Sequence, residues 1–228
     1  MGLLKNRYFH LVIVGIYIAL GLWGVIASYV GWLVNIHNEF FVYFTNQSSI
    51  IAVICAILFF ISALIDIKKG NKETKETRFV TFGLCVFIYQ IITMFFYNFF
   101  TTKAHIFTVK FWSQIQCPLL HLFCPILFVF IFIAFTDKSK INKFVPLWVL
   151  TFPILYAAFI FIRSVILGDV EEFAVSGYIR FPYPIFDYVV YPMWLVITFM
   201  ILGLLAFSGI AFGLEKLFKR QTKKPVKA

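Results

Sequence analysis

Charge is what this chain has least of. Only 10 acidic residues occur among 228, and charged residues of both signs make up 13%. Soluble domains carry about a quarter. Here 62% of the residues are hydrophobic and the mean hydropathy is +0.93, so the apolar side chains are too many for a water-soluble core. Cysteine is equally scarce. Cys55, Cys85, Cys117 and Cys124 all fall inside apolar runs, which suggests no disulfide framework. Cys117 and Cys124 are seven residues apart, about 10 Å along a helix and too far to bridge. Of the 4 histidines only His121 falls well inside an apolar run, so a haem carrier with paired axial histidines is not expected. A metal site built from Cys117, His121 and Cys124 would be one ligand short of a closed zinc site. Neither a metal nor another cofactor is expected.

What the chain does have is long apolar runs. Crossing about 30 Å of hydrocarbon takes roughly 20 residues, and six segments meet that length: Tyr8–Trp32, Phe41–Ile65, Phe79–Phe100, Phe111–Phe135, Phe144–Leu167 and Tyr188–Leu214. The expected fold is all-α, one polytopic domain of six transmembrane helices over residues 1–228. The first run is too long for the apolar part of a secretory signal and lacks a small-residue cleavage site, so it reads as a retained helix. Connections are short apart from Gly168–Asp187, which leaves no room for a soluble domain.

The net charge of +10 points to topology rather than nucleic acid. Basic residues cluster at the N-terminus (Lys5, Arg7), in the second loop (Lys68, Lys69, Lys72, Lys75, Arg78), in the fourth (Lys138, Lys140, Lys143) and in the tail from Lys216 to Lys227. These are sixteen of the 20. The opposite side holds Lys103, Lys110, Arg163 and Arg180. The positive-inside rule then places both termini in the cytoplasm and predicts a multi-pass protein of the cell membrane.

That orientation gives every polar residue a depth. The stretch "YFTNQSSI" opens the second helix from outside, with Thr45 about 6 Å below its outer end. Tyr97 and Asn98 close the third helix. The fourth enters at "WSQIQCPLLHLFCP", which sets His121 about 12–15 Å deep. Arg163 ends the fifth, and the outer loop carries "RFPYPIFD" with Tyr183 and Asp187. The inner halves read as nearly pure Ile, Leu, Phe and Val. Helical spacing gathers Gln114, Cys117, Pro118, His121, Cys124 and Pro125 on one face, Pro153, Tyr156, Ile160 and Arg163 on another, and Gln90, Thr93 and Tyr97 on a third. Thr45, Ser48, Ser49 and Ala52 form a small-residue stripe.

Each residue has a plain role beside the chemical one. A lone membrane histidine can simply bond a neighbouring helix, and a threonine its own backbone. Together they suggest more, because a threonine hydroxyl becomes a nucleophile only with a base, and His121 is the only suitable one at comparable depth. Arg163 in lipid needs a partner. Asp187 is the expected one, with a substrate carboxylate the alternative.

The order of Phe44-Thr45 followed by serines, Tyr97-Asn98, His121 with Pro125, Asp137, and "FPYPIFD" resembles the androgen-induced-gene-like family of multi-pass membrane proteins. Its animal members hydrolyse fatty-acid esters of hydroxy fatty acids with an intramembrane threonine and histidine. The resemblance implies Thr45 as nucleophile and His121 as base. The chain departs from that pattern in having Ser49 four residues after the threonine, where family members carry asparagine, with Asn46 beside the threonine instead. The resulting expectation is a hydrolase of a lipid-like carboxylic ester working in an outer-leaflet cavity. Asn46, Ser49 or Asn98 would support the oxyanion, and Tyr97, Gln114, Arg163, Tyr183 and Asp187 would line or brace the pocket. Membrane lipids and a lipid-like small molecule are the expected partners. The competing expectation is a carrier or lipid-binding protein using the same cavity.

Overall fold

The computed structural model describes residues 3–33, 39–71, 74–100, 114–166 and 180–223. Among them, six helices are long and apolar enough to cross a membrane, and no strand occurs. The chain is an integral multi-pass membrane protein. We label the helices α1 (Arg7–Leu33), α2 (Phe44–Lys68), α3 (Val80–Phe95, continued by a π-helical turn Phe96–Phe100), α4 (Gln116–Phe135), α5 (Val145–Ile166) and α6 (Met193–Lys223). Several boundaries differ from the hydropathy reading; α6 begins at Met193 rather than Tyr188, the residues between forming a turn. Phe40–Val42 turns off as a separate 3-10 segment, so α2 starts later. The charged stretch after Leu214 continues α6, helped by a Glu215–Lys219 pair at 2.8 Å one turn apart. Gly70, at φ +81° where a side chain would be strained, ends α2.

Helices α1 to α4 close a ring. α1 lies along α2, α2 against α3, α3 against α4, and α4 back against α1. Phe59, Leu84, Ile88, Phe128, Ile131 and Phe132 fill its centre and are fully buried. Gly83 allows the closest approach, since a Cβ there would come 2.6 Å from Phe59 Cζ and 3.2 Å from Phe132 Cδ2. The outer pair is different. In their most apolar windows 61% of α4 is buried but only 11% of α6, so α4 is central and α6 peripheral. α6 packs against Val145–Trp148 and α3 near one end, and against the Pro184–Phe186 turn near the other.

The end carrying Arg7, Asp66 and Val80 is not the plain apolar region the sequence suggests. Arg7 is only 1% exposed. It pairs with Asp66, lies 3.7 Å from Glu76, and contacts His10 Nδ1 at 3.0 Å while donating to Thr74 Oγ1 at 3.1 Å. Arg78 donates to the other Asp66 oxygen at 2.5 Å and to Ser62. Glu76 Oε1 accepts from the N–H groups of Arg78 and Phe79 where α3 begins. Its backbone bonds Phe135 and Asp137 at the end of α4. Two arginines and two carboxylates thus tie α1, α2, α3 and α4 together. These residues fall at helix ends far apart in sequence, so hydropathy alone does not reveal their meeting.

Asp66 faces both arginines. Removing it takes the nearest carboxylate from both guanidiniums, leaving Arg7 with Glu76 at 3.7 Å, whereas removing Arg7 leaves Asp66 with Arg78. Breaking a buried pair costs about 3–5 kcal/mol. Asp66→Leu should therefore lower the melting temperature of the purified protein more than Arg7→Met does. Equal losses would show that Arg78 does not depend on Asp66.

Candidate functional site

At the other end the ring and the outer helices part around a cavity of about 1510 Å³. Thr45, Asn46, Tyr97, Gln114, Cys117, His121, Tyr156 and Tyr183 give it its polar wall. Ser28, Gly31 and much of α5 and α6 complete the lining, mostly with apolar groups. Phe44 and Phe207 form its aromatic floor, and Phe152 stacks on Phe44 at 4.7 Å.

The histidine is placed by a proline. In a regular helix the His121 carbonyl would accept the N–H of residue 125, but Pro125 has none. The chain answers with a π-helical turn over Leu119–Phe123, closed by Cys124 N–H on the Leu119 carbonyl. The Asn98 amide donates to the His121 carbonyl at 2.7 Å and to the Met94 carbonyl at 2.7 Å. Asn98 itself lies in the second π-turn, Phe96–Phe100. Two π-turns therefore face each other, a form that recurs at functional sites. Tyr97 stacks on the His121 ring with centroids 3.6 Å apart and planes within 19°.

Thr45 is placed by the start of α2. Tyr43 gives no side-chain cap, and the first main-chain helical bond is from Gln47 N–H to the Tyr43 carbonyl, so the N–H groups before it need other partners. Two phenols stand beside them. The Thr45 hydroxyl and the N–H groups of Thr45 and Phe44 lie near enough to the Tyr183 oxygen to favour its ionised form. Burial pushes that phenol up, these three groups offset part of the rise, and the net result is about 12. The Tyr156 hydroxyl donates to the Val42 carbonyl at 2.7 Å. The serine stripe is used up internally. Ser48 and Ser49 both donate to the Thr45 carbonyl at 2.9 Å, and Ser48 meets Thr93 at 2.7 Å.

Several sequence expectations now have positions. Thr45, His121, Asn46, Tyr97, Gln114 and Tyr183 share the cavity, while Ser49, Asn98, Arg163 and Asp187 are outside its lining. The Asn98 amide gives both its hydrogens to carbonyls, and Asn46 holds the Phe40 carbonyl at 2.9 Å. Neither Asn98 nor Ser49 offers a donor to a bound oxygen. The predicted single face of α4 also divides. The extra residue of the π-turn rotates the helix, so Cys124 enters the core while Cys117 and His121 face the cavity. Among the described residues no three metal-ligating side chains gather.

The expected Arg163–Asp187 pair does not form. Arg163 makes a two-pronged contact with Glu39, at 2.8 Å to each oxygen, and reaches the Arg180 carbonyl at 3.4 Å. Asp187 instead accepts from the N–H groups of Val189 and Val190. The reason is geometric, since Asp187 caps its own turn while Glu39 sits buried beside the start of α2. Sequence reading passed over Glu39, although a carboxylate leading into the aromatic run "FFVYF" is itself a signal. Searches against family profiles, curated proteins and solved structures find no match for this chain.

Two experiments test this geometry. Asn98→Leu leaves the carbonyls of His121 and Met94 unsatisfied and should cost about 1–3 kcal/mol. Adding Pro125→Ala restores an N–H for His121 and should recover part of the loss; strictly additive losses would mean Asn98 does not serve that carbonyl. Glu39→Ala and Arg163→Ala should each lower thermal stability, and the double variant should be no less stable than the worse single one. Full additivity, or the same coupling with Asp187→Ala, would contradict the pairing.

Proposed function

We propose that this protein hydrolyses a lipid-like carboxylic ester, with Thr45 as nucleophile and His121 as base. The observation that carries the reading is that both side chains, Thr45 in the first turn of α2 and His121 in a π-helical turn, line one largely apolar cavity. The order of these residues resembles that of the androgen-induced-gene-like hydrolases, which supports the same assignment. In the proposed orientation both termini are cytoplasmic and the cavity lies toward the outer leaflet of the cell membrane.

The chemistry follows from the positions. Thr45 Oγ1 turns from Tyr183 toward His121, gives its proton to the imidazole and bonds to the acyl carbon. The C–O bond to the alcohol breaks and His121 returns the proton to the leaving oxygen. Water, activated by the same imidazole, then releases the acid and restores Thr45. The developing oxyanion takes the place of the Tyr183 oxygen, facing the N–H groups of Phe44 and Thr45 at the positive end of α2. This replaces the side-chain donors suggested by the sequence.

A second reading has one observation in its favour. The Thr45 hydroxyl lies beside the Tyr183 oxygen, an arrangement that serves equally well to hold a lipid without turnover. The test is ester hydrolysis by the purified protein. Thr45→Ala and His121→Ala should each reduce it by about 10²–10⁴-fold without loss of folding. The double variant should be no worse than either, because the pair acts as one unit. Full activity in Thr45→Ala would remove Thr45 as the nucleophile, and wild type that binds lipid yet cleaves no ester would favour the binding protein.

A further inference from the structure

Much of the remaining cavity wall is made by α5 and α6. On α6 the lining residues Met200, Gly203, Leu204 and Phe207 recur at helical spacing on one face. All four are half-exposed although that face looks into the protein. A Cβ built on Gly203 would meet nothing within 4 Å. On α5, Ala157 and Ala158 present no more than methyl groups. The two helices come together at Val145–Trp148, and near the other end α6 and the Thr151–Ile166 run of α5 each pack on the Pro184–Phe186 turn. Between those points Gly203, Ala157 and Ala158 leave a low stretch in a wall otherwise built of larger side chains such as Phe161, Met200 and Leu204.

We propose that this gap is a lateral portal through which the acyl chain of a membrane lipid enters the cavity from the bilayer, with Gly203 holding it open. Depth selects the occupant. Gly203 is ten residues into α6, about 15 Å along its axis and near the middle of the hydrocarbon. A peptide there would leave backbone groups unsatisfied, and a polar solute would have to cross lipid to arrive. A hydrocarbon chain meets neither obstacle. Its inner end would reach the aromatic lining of Phe44 and Phe207. The polar end of the ligand rests on the hydrolase reading; the portal does not require turnover.

The experiment uses the full-length protein in phosphatidylcholine nanodiscs and palmitic acid carrying a mid-chain diazirine. Irradiation should label peptides containing Ala157–Ala158 and Gly203–Leu204, and unlabelled palmitate should compete. Gly203→Trp should cut competable labelling at least about tenfold. Gly209→Trp, which also faces open space but lies outside the cavity lining, should not. Ala158→Trp fills the portal from the exposed side of α5 and should repeat the Gly203→Trp result should that variant fold poorly. Undiminished labelling in Gly203→Trp and Ala158→Trp, an equal loss in Gly209→Trp, or labelling that palmitate does not compete would overturn the portal. Competable labelling without ester hydrolysis would leave the portal standing and remove the hydrolase. Hydrolysis with labelling indifferent to Gly203→Trp would do the reverse.

Discussion

Inside a membrane a proline frees a carbonyl that water cannot satisfy, and this fold is arranged around two such groups. Pro125 frees the His121 carbonyl and Pro153 frees that of Val149. α3 answers both, with the Asn98 amide at 2.7 Å and the Tyr89 hydroxyl at 2.8 Å. An unsatisfied carbonyl in hydrocarbon costs several kcal/mol, so neither bond is optional. One contact fixes the histidine wall of the cavity, the other the base of α5. α3 is thereby the reference from which two sides of the site are measured. Its other polar side chains hold α2 in the same way: Gln90 donates to the Ser48 carbonyl at 3.1 Å and Thr93 meets the Ser48 hydroxyl.

The two ends of the molecule handle charge in opposite ways. At the Arg7 end, charges are buried so deeply and shared so widely that they join four helices. At the cavity end only the Arg163–Glu39 pair plays a similar part among the described residues, linking α5 to the segment that leads into α2. Closure at one end lets the helices spread at the other. A bundle tied at both ends would have no interior space, and one tied at neither would not hold Thr45 and His121 on a common wall.

The spans were legible because little besides a membrane crossing calls for about 20 apolar residues in a row. The stripe Gln90, Thr93, Tyr97 was legible from helical spacing, and its members do meet α2 and His121. Arg163 was visibly in need of a partner, yet Glu39 is 124 positions away in sequence and no spacing rule reaches that far. The division of the α4 face was hidden for a local reason. Periodicity assumes 3.6 residues per turn, and a π-turn breaks the count at the residue of interest. Pro118 and Pro125 flanking His121 were the available signal, because a helix missing two donors in eight residues cannot remain regular. Tyr183 was legible as a pocket residue but not as the partner of Thr45, since that contact depends on how the last loop folds back.

The polarity of "YFTNQSSI" then has a physical cause that precedes any chemistry. A helix beginning at a membrane boundary exposes N–H groups that need acceptors, and Tyr43 cannot cap them. Ser48 and Ser49 turn inward on the Thr45 carbonyl, and Asn46 and Gln47 reach back to the carbonyls of Phe40 and Phe41. Beside the N–H groups of Phe44 and Thr45 stands a phenol from another segment, Tyr183. A phenol oxygen is a good cap and an exchangeable one, because a ligand oxygen can accept the same bonds. Had an aspartate or serine at position 43 capped α2, those donors would be closed to any ligand. The weakness of the cap is what gives the first turn of α2 its capacity to receive an oxygen at the place where Thr45 stands.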